Sequence, residues 1–142
     1  MKSLYLNWIG KKDKSLLLPD VVFVKPTEIY SGYYCFPERK EIIIGNRYYP
    51  LNRGLIVTTD DDEEIANVLA HEWRHHWQRY NRRYPESYPS FNIQMPYEKA
   101  IRKFFQSCPL EMDALLFSHK YAPSELSEYW VSLLGRFSHV RL

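Results

Sequence analysis

The most informative segment of the sequence is residues 59–81, TDDDEEIANVLAHEWRHHWQRYN. It opens on a threonine and five acidic residues, a composition that favours a helix N-terminus because carboxylates cap free N–H groups and complement the helix dipole. No glycine or proline occurs from Asp62 to Asn81. Two stripes recur at helical spacing, formed by Ile65, Val68, Leu69 and Glu72 and by Ala66, Ala70, Trp73 and Trp77. We therefore predict a central helix that packs on more than one side.

The residues before this helix are rich in strand-forming side chains. Short β-branched and aromatic runs predict four strands, at Val21–Val24, Tyr33–Phe36, Glu41–Ile44 and Gly54–Thr58. The turn-like tetrapeptide Pro37–Lys40 predicts a hairpin between the second and third runs. Gly45 and Asn46 then end the third run with another turn signal.

The residues after the central helix predict a helical region. The proline-containing stretch 81–96 is expected to be a loop, and further helices are expected at 97–106, 110–121 and 125–134. Pro109 suits the first turn of the second of these helices, whereas Ser124 caps the third and Gly135 ends it. The sequence therefore predicts one α+β domain over 1–142, β-rich in 1–58 and helical in 60–142. A small N-terminal antiparallel sheet is expected to pack on the central helix.

Composition narrows the classes of function. The chain has 142 residues and a formal net charge of +2, which is too small to indicate a nucleic acid or membrane partner by itself. No apolar stretch approaches the length of a membrane span, and no signal peptide is recognised at the start. Cys35 and Cys108 are isolated from each other, so we expect reduced, buried thiols and a cytoplasmic protein. A domain of this length can bury a core unaided, so a metal would serve chemistry rather than folding.

His71, Glu72 and His75 carry the chemistry of the central helix. The two histidines are four residues apart, so both imidazoles leave the same helix face and can reach one zinc ion. Glu72 follows the first histidine and lies beside the metal position, where a carboxylate can move protons. This is the H-E-x-x-H pattern in its helical context.

A catalytic zinc takes three protein ligands and leaves one position open. Glu111 lies 36 residues after His75, in the first turn of a later helix, and is our predicted third ligand. By itself it would be read as a carboxylate favoured at a helix N-terminus. His119 is the alternative third ligand, and His76 is a poorer alternative to His75. Ile42–Ile44 or Leu55–Thr58 is expected to offer a strand edge to an extended peptide.

Residues 71–78 (HEWRHHWQ) and 109–114 (PLEMDA) resemble the compact gluzincin zinc metallopeptidases. Relatives in that group include the minigluzincins, the ImmA/IrrE-like peptidases and small phage-encoded metallopeptidases. The resemblance implies Zn²⁺ bound by His71, His75 and Glu111, with Glu72 as general base and acid in the hydrolysis of a protein or peptide substrate. Many relatives place an acid or amide four residues after the ligand glutamate. Here that position is Leu115, and Asp113 is the nearby acid.

Two other functions compete with peptide hydrolysis. The absence of an acid at position 115 favours a zinc-binding regulatory module without catalysis. A cluster of basic and aromatic residues could instead bind single-stranded nucleic acid, as in a SprT-like nucleic-acid-associated protease. The cluster comprises Arg74, Arg79, Tyr80, Arg82, Arg83 and Tyr84. The small net charge argues against this last reading.

Overall fold

The computed structural model describes residues 19–25, 32–61, 63–80 and 94–135. In these ranges the strands are β1 (Asp20–Val24), β2 (Gly32–Cys35), β3 (Glu41–Ile44), β4 (Arg47–Pro50) and β5 (Leu55–Thr59). The helices are α1 (Ile65–Tyr80), α2 (Tyr97–Ser107), α3 (Pro109–Tyr121) and α4 (Glu125–Gly135). The predicted α+β class is confirmed, with the strands first and the helices after them. Within the same ranges, no helix has the length and apolar character needed to cross a bilayer.

Strand β5 is the centre of a three-stranded sheet with the order β1-β5-β2. All five of its residues are buried, as its apolar and β-branched sequence LIVTT allows. Strand β1 runs parallel to β5 with Asp20 opposite Leu55, whereas β2 runs antiparallel with Tyr33 opposite Val57. The predicted substrate edge at 55–58 is therefore wrong, because this strand has partners on both sides.

The predicted hairpin between 33–36 and 41–44 is also wrong. Pro37–Arg39 form a short 3-10 turn, and Lys40 follows it with φ of 67°, so the chain leaves β2 without returning along it. Strand β3 pairs instead with β4, joined by the two residues Gly45 and Asn46. Gly45 has φ of 62°, a value that tight two-residue hairpin turns require and that glycine adopts without steric cost.

The three-stranded sheet is covered on both faces. Successive strand residues point to opposite sides, so Tyr34 and Ile56 pack with Leu69 and Trp73 of α1. The opposite face carries Cys35, Leu55 and Val57, and the β3–β4 hairpin covers it through Ile42, Ile44 and Tyr49. Helix α1 therefore lies on one face of the sheet, as the sequence predicts.

The other side of α1 packs against α3, and two amide side chains hold these helices antiparallel. Near the start of α1, the Nδ2 atom of Asn67 donates to the carbonyl oxygen of Ala122 at 3.0 Å. Near its end, the Nε2 atom of Gln78 donates to the carbonyl oxygen of Leu110 at 2.9 Å. The first turn of α3 consequently lies opposite the last turns of α1.

A second apolar core forms where α2 and α4 pack on α3. It contains Ile101, Phe105, Leu115, Val131, Leu133 and Leu134. The packing of α3 between this core and α1 determines which of its residues face the histidines. Both predicted features at the starts of the later helices are present: Pro109 lies in the first turn of α3, and the N–H of Ser127 donates to Oγ of Ser124.

Candidate metal centre

His71 and His75 leave α1 on one face, one helical turn apart. Their ring centroids are 5.0 Å apart and the ring planes meet at 79°. Both Nε2 atoms point toward the first turn of α3. Neighbouring side chains at this spacing follow from helix geometry alone, as the sequence predicts.

The carboxylate of Glu111 bridges the two imidazoles. Its Oε2 atom is 3.0 Å from Nε2 of His71, and its Oε1 atom is 2.9 Å from Nε2 of His75. The three residues offer ligand atoms that all lie within 4.8 Å of one another. The structure therefore brings together the three residues that the sequence proposes as metal ligands, in a group that could hold a metal ion.

The spacing of these atoms is close to that of ligands around one metal ion. Ligands about 2.0–2.1 Å from a tetrahedral zinc are about 3.3–3.4 Å apart. The observed contacts of 2.9 and 3.0 Å are a few tenths of an ångström shorter than that, and all the ligand atoms lie within 4.8 Å of one another. Two imidazoles and one carboxylate are also a donor set that divalent zinc accepts, and they leave a fourth position free.

Charge holds the group together. Burial favours the neutral form of Glu111, but the His71 and His75 imidazoles facing it outweigh burial and hold its pKa well below its usual range. Burial likewise disfavours a charge on His75, but hydrogen bonding and attraction to Glu111 raise its pKa to about 9. Without a metal, a proton on His75 therefore balances the carboxylate, and this is the proton that a cation must displace.

Zinc binding is therefore expected to release a proton. Between pH 7 and 8 the metal-free His75 lies below its pKa of about 9 and holds a proton that zinc must remove. We expect release of about one proton per zinc ion and an affinity that rises about tenfold per pH unit toward pH 9. Calorimetric titration in buffers of different ionisation enthalpy measures this number. A binding enthalpy that is the same in every buffer would contradict the assignment.

Glu72 is buried beside this group, with 7% of its surface exposed. Burial raises the pKa of its carboxyl, and the charge of Glu111 adds to that effect, whereas His71 and His75 oppose it. Glu72 is not a member of the ligand group among the described residues. A carboxyl with a raised pKa next to a metal position suits a role in which it takes up a proton and returns it.

The alternative histidine ligands lie elsewhere. His76 is fully buried, and its Nδ1 atom is 2.7 Å from the hydroxyl of Tyr34 on the sheet side of α1. His119 lies in the last turn of α3, where its Nδ1 atom is 3.1 Å from Oγ of Ser127. Neither belongs to the group that could hold a metal, as far as the described residues extend.

The sequence did not assign a role to Asp113, and the structure shows which side chains donate hydrogen bonds to it. Leu115, at the position where relatives carry an acid, is fully buried in the helical core. Asp113 instead accepts hydrogen bonds from Nε of Arg74 at 2.8 Å and from Nε2 of Gln78 at 2.8 Å. Gln78 in turn lies 2.8 Å from Nδ1 of His75. Sequence reasoning missed Gln78, although a glutamine three residues after a ligand histidine lies on the same helix face.

The described part of the basic aromatic cluster is engaged in contacts within the chain. Arg74 pairs with Asp113 and lies over the Trp77 ring, with its guanidinium carbon 3.9 Å from the ring centroid. Arg79 pairs with Glu38. The side chains of the remaining members lie outside the described part of the chain, as do residues 81–93 of the predicted loop: Tyr80, Arg82, Arg83 and Tyr84. The structure thus adds no support for a nucleic-acid surface.

No protein-family model matches the chain, and comparison with curated proteins and with solved structures gives no match either. The resemblance to gluzincins therefore depends on the motif residues. The geometry of His71, His75 and Glu111 is what supports a metal site in this protein.

Proposed function

We propose that this protein is a zinc-dependent peptidase of the compact gluzincin type. The observation that carries the proposal is the convergence of His71, His75 and Glu111, with the carboxylate within 3.0 Å of both imidazoles. The burial of Glu72 next to them is the second support. A binding module would need the three ligands but would not need a buried carboxyl of raised pKa beside them.

Each residue has a separate task in this proposal. His71 and His75 would hold the ion through Nε2, and Glu111 through a carboxylate oxygen. When bound, zinc supplies a Lewis acid for the peptide carbonyl and lowers the pKa of a water molecule in its open position. Glu72 would accept a proton from the attacking water at a carboxylate oxygen and return it to the nitrogen of the departing amine. The raised pKa of Glu72 favours the uptake of that proton.

Metal removal and replacement test the proposal. We expect the purified protein to bind about one zinc ion and to hydrolyse unfolded casein. A chelator should abolish the hydrolysis, and added zinc should restore it, whereas magnesium should not because it prefers an octahedral oxygen environment. Metal content is measured by elemental analysis, and hydrolysis by the release of new amino termini.

Three results would contradict this proposal in different ways. If the protein binds no zinc under any loading condition, the three proposed ligands do not form a zinc site. Stoichiometric zinc without hydrolysis of casein or of a peptide library would leave the regulatory zinc-binding module as the function. Hydrolysis that survives chelation would assign the activity to other residues.

A further inference from the structure

Gln78 is a fully buried polar residue in the last turn of α1, and its amide group faces three partners. Its Nε2 atom lies 2.9 Å from the carbonyl oxygen of Leu110 and 2.8 Å from Oδ2 of Asp113. A carbonyl oxygen can only accept a hydrogen bond. The nitrogen end of the amide must therefore face α3, which leaves the oxygen end to face α1.

The orientation of Gln78 determines which nitrogen of His75 keeps its proton when a cation displaces the other proton. The Oε1 atom of Gln78 is 2.8 Å from Nδ1 of His75, and an amide oxygen can only accept. Nδ1 must therefore carry a proton and donate it to Gln78. In the neutral imidazole the lone pair is then on Nε2, the atom that lies 2.9 Å from Glu111. The nitrogen that faces the metal position is thus the one able to bind an ion.

Asp113 is fixed in the accepting role by Arg74. Nε of Arg74 donates to Oδ2 at 2.8 Å, and a terminal guanidinium nitrogen lies 3.3 Å from Oδ1. Both carboxylate oxygens therefore accept from Arg74, and Oδ2 accepts from the Gln78 amide as well. The guanidinium itself is packed against the Trp77 and Phe117 rings, at 3.9 and 4.9 Å from their centroids.

We propose that Gln78 is a positioning residue for the metal site, held by Asp113 and Arg74, and that it selects Nε2 of His75 as the ligand atom. This inference rests on the proposed metal centre and extends it. It also accounts for the apolar residue at position 115, because an orienting group already reaches His75 from its own helix. Asp113 thereby acts on the metal site through Gln78 rather than directly.

Gln78→Met tests the proposal, because it keeps the length of the side chain but removes the acceptor for Nδ1. We expect the zinc dissociation constant to rise about 10–100-fold, the range found when the hydrogen-bond partner of a ligand histidine is lost. The measurement is competition with a chromogenic chelator at fixed pH. Circular dichroism of the metal-free variant establishes that it is folded.

Asn67→Leu is the matched control. It removes a hydrogen bond of the same kind, from α1 to the carbonyl oxygen of Ala122 directly after α3, at the end of the helix pair remote from His75. If Gln78 acted only by joining the two helices, both variants would weaken zinc binding alike. We expect the Asn67 variant to lose stability while its zinc dissociation constant stays unchanged.

The wild-type protein supplies a test that needs no variant. With ¹⁵N-labelled histidine and bound zinc, nuclear magnetic resonance should show a proton on Nδ1 of His75 and none on Nε2. A proton on Nε2, or zinc affinity in Gln78→Met equal to that of the wild type, would overturn the role of Gln78 and leave the peptidase proposal standing. Failure of the wild type to bind zinc would overturn both.

Discussion

Glu72→Gln is expected to lower the rate of peptide hydrolysis by about 10²–10⁴-fold, the usual contribution of a general base. The amide has nearly the size of the carboxyl, so the packing around this buried position should persist. It cannot take a proton from water, however, and it cannot return one to the leaving amine. Steady-state cleavage of a fluorogenic peptide by the zinc-loaded protein measures the effect.

Zinc content separates this result from loss of the site. Because Glu72 is not among the three ligand residues, the variant should bind as much zinc as the wild type. Glu64→Gln is the matched control, since Glu64 is also a carboxyl whose pKa burial raises, but it lies at the other end of the helix segment. Wild-type hydrolysis in Glu72→Gln would remove this residue from the mechanism.

Loss of a ligand is expected to have the second large effect. His71→Ala and Glu111→Gln should each raise the zinc dissociation constant more than about 100-fold, beyond what a change in a hydrogen-bonding partner of a ligand costs. In His71→Ala one imidazole is missing. In Glu111→Gln the carboxylate that contacts both imidazoles is replaced by a neutral amide. Zinc per chain after gel filtration and the dissociation constant by competition are the measurements.

His119→Ala is the control for a lost histidine in the same pair of helices. Its contact with Ser127 lies away from the ligand group, so zinc binding should equal that of the wild type. If His119→Ala lost zinc and Glu111→Gln retained it, the third ligand would be His119 and not Glu111. Retention in both ligand variants would mean that the ion binds elsewhere.

The features that could be predicted from the sequence depend on residues that are close together along the chain. Helix α1 could be predicted because a capped, acidic start and a run without glycine or proline favour a helix whatever the partner elements are. The neighbouring positions of His71 and His75 follow from 3.6 residues per turn. The starts of α3 at Pro109 and of α4 after Ser124 follow in the same way from terminal preferences.

Strand pairing was less predictable. Residues 33–36 and 41–44 do form strands, yet they pair with β5 and β4 and not with each other. The sequence of a strand predicts which of its residues point to each face of the sheet. Which other strand it pairs with depends on packing across the whole sheet. Strand β4 was not predicted at all, and its pairing with β3 depends on the turn at Gly45, which the sequence signalled only as the end of a strand.

Local sequence was enough to predict the α+β class, the central helix and two imidazoles on one helix face, since each depends on neighbours within a few residues. The contact of Glu111 with these imidazoles could be seen only in the folded chain, because it requires α1 and α3 to pack antiparallel in one register. Only the tertiary structure joined Asp113 to His75 through Gln78. A hydrogen bond is directional over about 3 Å, so residues more than thirty positions apart meet only when packing brings their backbones together.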